Sequence, residues 1–453
     1  MNVYSNILDM VGKTPMLEVT HIDTGPCRLF LKLEQMNPGG SIKDRIGISM
    51  IEQAEKRGDI KPGDTLVEAT AGNTGLGLAL VAAQKGYRLI LVLPDKMSQE
   101  KIFNLRAMGA EVVLTRSDVG RGHPEYYQDL GRKIADENGA YFINQFGNED
   151  NPLAHELTTA PEIFEQMGGE LDVIVLGVGS SGTVTGIGKY LTEHAPDVEM
   201  ILADPVGSVL ADYINKGELG EGGSWLVEGI GEDFIPSIAN FDRVTRAYAI
   251  SDAESFAAAR ELLKKEGVLA GSSSGTLLAA ALKYCREQTE AKTVVSFVCD
   301  TGNKYLSKLF NDFWMEDQGF IEREKFGDLR DLIGRLHGER ATITVGLTDV
   351  LTTAHNRLRN AGFSQLPVMD EGTLVGVVTE DAIIQFVYGK PELMAAPIED
   401  AMESAFIKLE KSESVNNLVA MLRVQPYAAI MDGDEFLGLI TRSDVLNYLR
   451  RQI

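Results

Sequence analysis

The sequence predicts an α/β chain: a large body on parallel-rich sheets, followed by a smaller module made of two copies of one unit. Three observations carry this reading. Short apolar runs alternate with helix-like segments between about residues 29 and 300, glycine-rich turns stand where those runs give way to helices, and one segment near the C-terminus recurs at a fixed offset. The runs are TLVEA (65–69), RLILVLP (88–94), EVVLT (111–115), LDVIVLG (171–177), VEMILAD (198–204) and TVVSFVC (293–299). Several are apolar at consecutive positions rather than alternating, as strands buried on both faces require, and helical stretches such as GLGLALVAAQKG follow them. That order predicts a layered fold with parallel sheets.

After about residue 310 the texture changes, and WMEDQGFIEREKFGDLRDLIGRLHGER reads as a charged linker with helical pieces. Beyond it, VMDEGTLVGVVTEDAI (368–383) aligns with IMDGDEFLGLITRSDV (430–445) at a constant offset of 62. Each copy follows a helical stretch, so the chain predicts two strand, helix, strand, strand, helix units packed as one pseudo-symmetric domain. The expected division is 1–315 for the large body, 316–340 for the linker and 341–453 for the repeated module.

The 453 residues, 44% hydrophobic and 24% charged, describe an ordinary globular chain. A net charge of −23 disfavours nucleic acid and anionic membranes as partners. The three cysteines, Cys27, Cys285 and Cys299, lack CxxC spacing, so neither a disulfide framework nor a zinc ribbon is expected and no metal is predicted. The N-terminus lacks the layout of a secretory signal, and no run approaches the roughly 18 apolar residues of a membrane span. A cytoplasmic location is the expectation.

Four segments could carry chemistry. Gly177-Val-Gly179-Ser-Ser-Gly182 follows a strand, opens a helix and has Asp204 about 20 residues on, which satisfies a dinucleotide fingerprint. The same loop could instead be a tight turn, or could hold a single phosphate on the amides of Gly179 to Thr183. In Asn37-Pro-Gly-Gly-Ser-Ile-Lys43, the lysine stands at the start of a helix, whose positive dipole end disfavours its charge. Lowered basicity is what a Schiff-base lysine needs. Thr70, Asn73, Thr74 and nearby amides could grip a carboxylate or a polar ring substituent, or merely cap a helix. Ala270-Gly-Ser-Ser273-Ser-Gly-Thr276 opens a further helix with small residues that leave room for a ligand.

Together, NPGGSIKDR, AGNTG, GVGSSGT, EGIGEDFIP (228–236) and GSSSG closely resemble the β-family (fold type II) of pyridoxal-phosphate enzymes, which includes cysteine synthase and cystathionine β-synthase. The resemblance covers about residues 5–315 and displaces the dinucleotide reading. It implies a catalytic body of two α/β subdomains and pyridoxal 5'-phosphate as cofactor. It further implies Lys43 as Schiff-base lysine and general base, and Asn73 as the contact to the cofactor's phenolic oxygen. Gly179, Ser180, Ser181, Gly182 and Thr183 would hold the phosphate, and Ser273 would face the pyridine nitrogen. A neutral hydroxyl there makes the ring a weaker electron sink, which favours loss of a β-substituent over transamination. Thr70, Ala71, Gly72, Thr74 and Gln145 match the segments that hold the substrate carboxylate. Relatives often have serine where this chain has Ala71, so one carboxylate hydrogen bond is either missing or supplied by a neighbour.

The C-terminal repeat resembles a tandem pair of CBS domains (a Bateman module), which bind adenosyl ligands through GxxTxxD motifs. Gly438-Leu-Ile-Thr441-Arg-Ser-Asp444 fits the motif, whereas the first copy has Ala382 at the corresponding place and Asp381 out of register. One competent site is therefore implied, for S-adenosylmethionine or an adenine nucleotide, with Phe363 and Gln365 lining it. The domain combination points to the cystathionine β-synthase branch. Its implied reaction replaces the hydroxyl of L-serine by L-homocysteine to give cystathionine and water, with sulfide release from L-cysteine by the same chemistry. Alternatives are a cysteine synthase using O-acetylserine and sulfide, and a nucleotide sensor whose large body is inactive. A homodimer is carried over from the family. The chain begins directly with the catalytic body, without the extension of the vertebrate enzymes, so haem is not expected.

Overall fold

The computed structural model describes residues 3–70, 72–95, 97–338 and 342–450. It divides into two compact units, Met1–Phe310 and Asn311–Ile453. In the first unit, a six-stranded sheet runs in the order Met16–Glu18, Arg28–Lys32, Thr293–Phe297, Val173–Gly177, Glu199–Pro205, Val244–Ile250. Only its first pair is antiparallel. A second sheet, wholly parallel, runs Glu111–Thr115, Arg88–Pro94, Thr65–Ala69, Tyr141–Phe142. The central strands are covered on both faces, which is why Val173 to Leu176 and Leu89 to Leu93 are apolar without alternation and wholly buried. Edge strand Val244–Ile250, by contrast, mixes exposed and buried positions.

Helices Lys43–Arg57 and Asn73–Lys85 pack almost backbone against backbone. A Cβ on Gly47 would stand 2.7 Å from the carbonyl carbon of Gly77, and one on Gly77 would stand 2.6 Å from the carbonyl oxygen of Lys43. The two glycines thus allow an approach that any larger residue would block, and it sets the N-termini of both helices side by side.

A buried ion network fixes the first of these helices. The Arg45 guanidinium donates to both carboxylate oxygens of Glu34, each at 2.8 Å, and to Glu162 at 2.7 and 2.8 Å. Lys32 donates to Glu162, to Gln166 and to the Thr14 carbonyl. Glu34 also accepts from Thr14 and Asn37, so its charge is fully hydrogen-bonded inside the protein. Although burial opposes it, Arg45 holds the Glu162 carboxyl down to about 2.

The second unit contains two three-stranded sheets, Val345–Gly346, Gln365–Asp370, Thr373–Thr379 and Lys408–Glu410, Tyr427–Asp432, Glu435–Thr441. Their hairpins match at the offset of 62, including an irregularity between Val368 and Met369 that recurs between Ile430 and Met431. Leu374, Ala429, Met431 and Phe436 form a shared core between the copies. The stretch expected to link the two parts contains a short turn, Leu329–Leu332, that enters the core of the second copy: Leu329, Leu332 and Ile333 are buried with Leu418, Ile430 and Ile440. Among the described residues no helix is long and apolar enough to cross a membrane.

Arg45→Met should lower stability by about 3–5 kcal/mol at pH 7, because it strands a buried carboxylate; denaturant unfolding measures this. The depressed Glu162 carboxyl contributes stability that is present above about 4.5 and lost as pH falls toward about 2. The acid dependence of unfolding in that window should therefore flatten in Arg45→Met.

Candidate active site

Residues 38–42 turn tightly into the first helix, with Gly40 at φ +75 and the Gly39 amide donating to Asp44 at 2.5 Å. Burial pushes the Asp44 carboxyl up to about 7. Lys43 is the first helical residue, and the preceding Ile42 amide donates to the Cys299 carbonyl at 2.9 Å. Desolvation is the dominant force lowering the basicity of the Lys43 amine; the negative potentials of Asp300 and Glu232 offset it in part. The sequence argument reached the same direction through the helix dipole alone.

The cavity that Lys43 enters encloses about 290 Å³ and is also lined by Thr70, Asn73, Thr74, Gln145, Gly179 and Ser180. A narrower recess beside it brings Lys43 and Asn73 together with Thr183 and Ser273. Four segments far apart in sequence thus converge. Gly72 opens the Asn73 helix at φ +112, where a Cβ would strike the Lys101 side chain at 2.8 Å. Ala71 lies outside the described residues.

At another wall of the cleft, Gln145 accepts from the Thr74 hydroxyl at 2.7 Å and donates through Nε2 to the Ala69 carbonyl at 3.2 Å. Its backbone amide donates to Glu68, whose fully buried carboxyl is pushed up to about 8 by desolvation. Thr70 accepts from the Gly72 amide. Hydroxyl and amide groups of Thr70, Thr74 and Gln145 thus line this part of the cleft.

The glycine loop opens helix Gly182–His194, whose first amides have no partner within the helix. Ser181 adopts the left-handed conformation at φ +67. A Cβ on Gly179 would meet the Gly229 carbonyl at 2.7 Å, and one on Gly182 would collide with the Asn151 amide. Asn151 donates to the Gln145 carbonyl and to Ser180 Oγ, while His155 bridges Thr159 and Thr183. Burial holds His155 neutral. Asn151 and His155 had no local spacing to betray them. Asp204, the acid that completed the dinucleotide pattern, is wholly buried and accepts the Ala211 amide at 2.8 Å, so it caps its own turn instead of facing a ribose.

Ser273 lies buried in the first turn of helix Ser272–Glu287. Its hydroxyl bonds the Cys299 thiol, which burial and Asp300 push up to about 12. This end of the recess is therefore neutral. A further buried network, also unsignalled by the sequence, joins Glu228, Lys101, Tyr305, Asp300, Asn73 and Lys304 in one chain of hydrogen bonds.

The second unit holds a cavity of about 600 Å³ lined by Phe363, Gln365, Thr441 and Asp444. Asp444 Oδ2 accepts from the Thr441 amide at 2.7 Å and hydroxyl at 2.6 Å, and Arg335 stacks over both Phe313 and Phe363. In the first copy, Thr379 donates to Glu403, which also accepts from Tyr427, while Asp381 points to solvent. Glu403 thus engages the threonine that corresponds to Thr441.

A desolvated lysine amine, a glycine loop that opens a helix and the buried Ser273 hydroxyl meet in one cleft, as in a pyridoxal-phosphate enzyme, here joined to a CBS pair. The pyridoxal-phosphate dependent enzyme family matches residues 7–300, and the CBS domain family matches 339–389 and 398–451. A cystathionine beta-synthase from Dictyostelium discoideum is 36% identical over 464 residues, covering 99% of this chain and 93% of that one. The chain belongs to the cystathionine β-synthase family. A cysteine synthase from Staphylococcus aureus is 40% identical over 67% of this chain and 95% of its own length. The structure of O-acetylserine dependent cystathionine beta-synthase from Helicobacter pylori superposes with a TM-score of 0.63 at 38% identity, covering 68% of this chain and 99% of that one.

Pyridoxal phosphate is the cofactor of this family, and the residues present fit it. The loop at Gly179 and Gly182 leaves no room for a Cβ, the Lys43 amine is desolvated, and Ser273 offers a neutral group. Gly182→Ala should force Asn151 away from the loop and weaken cofactor binding by at least about tenfold, the loss of roughly one charge-assisted hydrogen bond. Fluorescence titration of the apoprotein with pyridoxal phosphate reads this directly.

Proposed function

We propose that the chain replaces the β-hydroxyl of L-serine by the thiol sulfur of L-homocysteine, forming cystathionine and water. The observation that carries the reading is the meeting of a desolvated Lys43 with Asn73, the 179–183 loop and the Thr70, Thr74 and Gln145 group in one cleft. The near full-length likeness to the Dictyostelium discoideum enzyme supports it.

Lys43 is assigned the covalent anchor of the cofactor and, once released, the general base. Its lowered basicity favours the neutral amine, the form able to take the proton from the substrate α-carbon and return one at the end. Thr70, Thr74 and Gln145 hold the substrate carboxylate through hydrogen bonds. Asn73 meets the ring oxygen, the amides of 179–183 meet the phosphate, and Ser273 stands at the ring nitrogen. Pyridoxal phosphate, when bound, supplies the electron sink that makes the α-proton acidic. The neutral Ser273 and Cys299 wall limits that sink, which favours departure of a β-substituent over transamination. L-cysteine in place of serine would release sulfide.

A second reading, with O-acetylserine as donor, draws on the Helicobacter pylori neighbour, an O-acetylserine dependent cystathionine beta-synthase. Purified enzyme given serine with homocysteine, and separately O-acetylserine with sulfide, separates the two; turnover of the second pair alone sinks the serine assignment. Lys43→Ala should lower turnover by about 10²–10⁴-fold and abolish the borohydride-fixed yellow colour. A colourless wild-type protein would instead favour an inactive sensor. The acidic limb of the kcat profile, which reports the complex in which the Lys43 amine is released, should fall below the ordinary lysine value of 10.5.

In the second unit, we infer one adenosyl ligand at Phe363, Gln365, Thr441 and Asp444, with ribose hydroxyls donating to Asp444. The half-buried Asp444 and the occupied Thr379 position of the first copy support a single site. Calorimetric titration with S-adenosylmethionine, AMP and ATP should give heat with at least one in wild type and none in Asp444→Ala; silence with all three removes the ligand assignment.

A further inference from the structure

Asn73 has both ends of its amide engaged by groups that leave no ambiguity about its orientation. Its Nδ2 donates to Asp300 Oδ2 at 2.7 Å, and its Oδ1 accepts from Lys304 Nζ at 3.1 Å. A carboxylate accepts and an ammonium donates, so the opposite setting of the amide would place donor against donor and acceptor against acceptor. Nδ2 carries two hydrogens; with one held by Asp300, the other remains for a second partner.

Asp300 is itself over-determined. It is wholly buried, and the same Oδ2 accepts from Tyr305 OH at 2.6 Å. Its backbone lies between two other parts of the cleft: its carbonyl accepts from Gly271, and the next amide, that of Thr301, donates to the Gly40 carbonyl. Lys304 is buried too and donates to the carbonyls of Gly39 and Gly40. The backbone at Asp300 therefore ties the turn before Lys43 to the helix opening before Ser273, and its carboxylate holds the side chain of Asn73. Its Oδ1 has no hydrogen-bond partner among the described residues, a costly state for a buried acceptor. A group retained at that cost and connected to three sides of a binding cleft has a use beyond packing.

We propose that Asp300 is a positioning residue, which sets the amide of Asn73 so that its second Nδ2 hydrogen is presented to an acceptor oxygen on the cofactor ring. The proposal rests on the reading of Asn73 as a cofactor contact. A donor held there favours the deprotonated ring oxygen, so the absorbance of the bound cofactor reports on the amide's setting.

The test compares Asp300→Asn, Asn73→Ala and the double variant as cofactor-loaded proteins. Asp300→Asn lets the Asn73 amide turn over, and is expected to move the visible absorbance band and its pH titration and to weaken cofactor affinity by about tenfold, the scale of one charge-assisted hydrogen bond. Asn73→Ala should produce the same spectral change, and the double variant should add little to either. A changed band in Asn73→Ala with a wild-type band, titration and affinity in Asp300→Asn overturns the role of Asp300 and leaves that of Asn73 standing. An unchanged Asn73→Ala overturns the cofactor contact, and the proposal with it. If Asp300→Asn does not fold, Lys304→Met releases the other end of the amide and should shift the band in the same direction; a lower melting temperature with an unmoved band counts against the proposal.

Discussion

The contact between Gly47 and Gly77 is the constraint on which the catalytic unit depends. Where two helices meet backbone to backbone, their N-termini and the turns that precede them are fixed relative to each other with little freedom. Here those turns carry Lys43 and Asn73. The packing energy of the interface comes from the apolar residues around it, but its geometry comes from two missing side chains. The buried Arg45 network then holds the Lys43 helix against the rest of the unit, two residues from the amine it positions.

Electrostatics inside the cleft follow from burial more than from net charge. A chain of net charge −23 gathers amides, hydroxyls and a desolvated amine in the cleft, beside Glu228, Glu232 and Asp233, which also line it. Desolvation drives Lys43 toward its neutral form and keeps the Glu68 carboxyl and Cys299 thiol protonated near neutrality. Each of these effects weakens if water reaches the group, so the site's chemistry and its enclosure are the same property.

Much of this was legible from the residue order because it is locally encoded. The buried strands announce themselves by consecutive apolar residues, and the helix openings by glycine next to Thr, Asn, Ser or Lys. The offset of 62 foretold the paired hairpins, and the structure adds an irregularity common to both. What escaped notice is assembled from distant positions. Asn151 and His155 support a loop some 30 residues later, Lys101 meets Glu228 across the cleft, and Asp300 reaches Asn73 over 227 positions. No spacing rule links such partners. Leu329 and Leu332 were hidden by their charged surroundings, although each is a core residue of the second unit.

The two halves of the C-terminal unit repeat in backbone but differ in how the threonine at the head of the last helix is satisfied. In one half a glutamate from a neighbouring segment engages it; in the other the helix's own aspartate does, beside an open cavity. Duplicated architecture therefore does not mean duplicated occupancy. If the proposed adenosyl ligand binds in that one cavity, saturation within one chain is a simple hyperbola, since among the described residues the other half offers no matching site to couple with it. Any steeper response has to originate in association between chains.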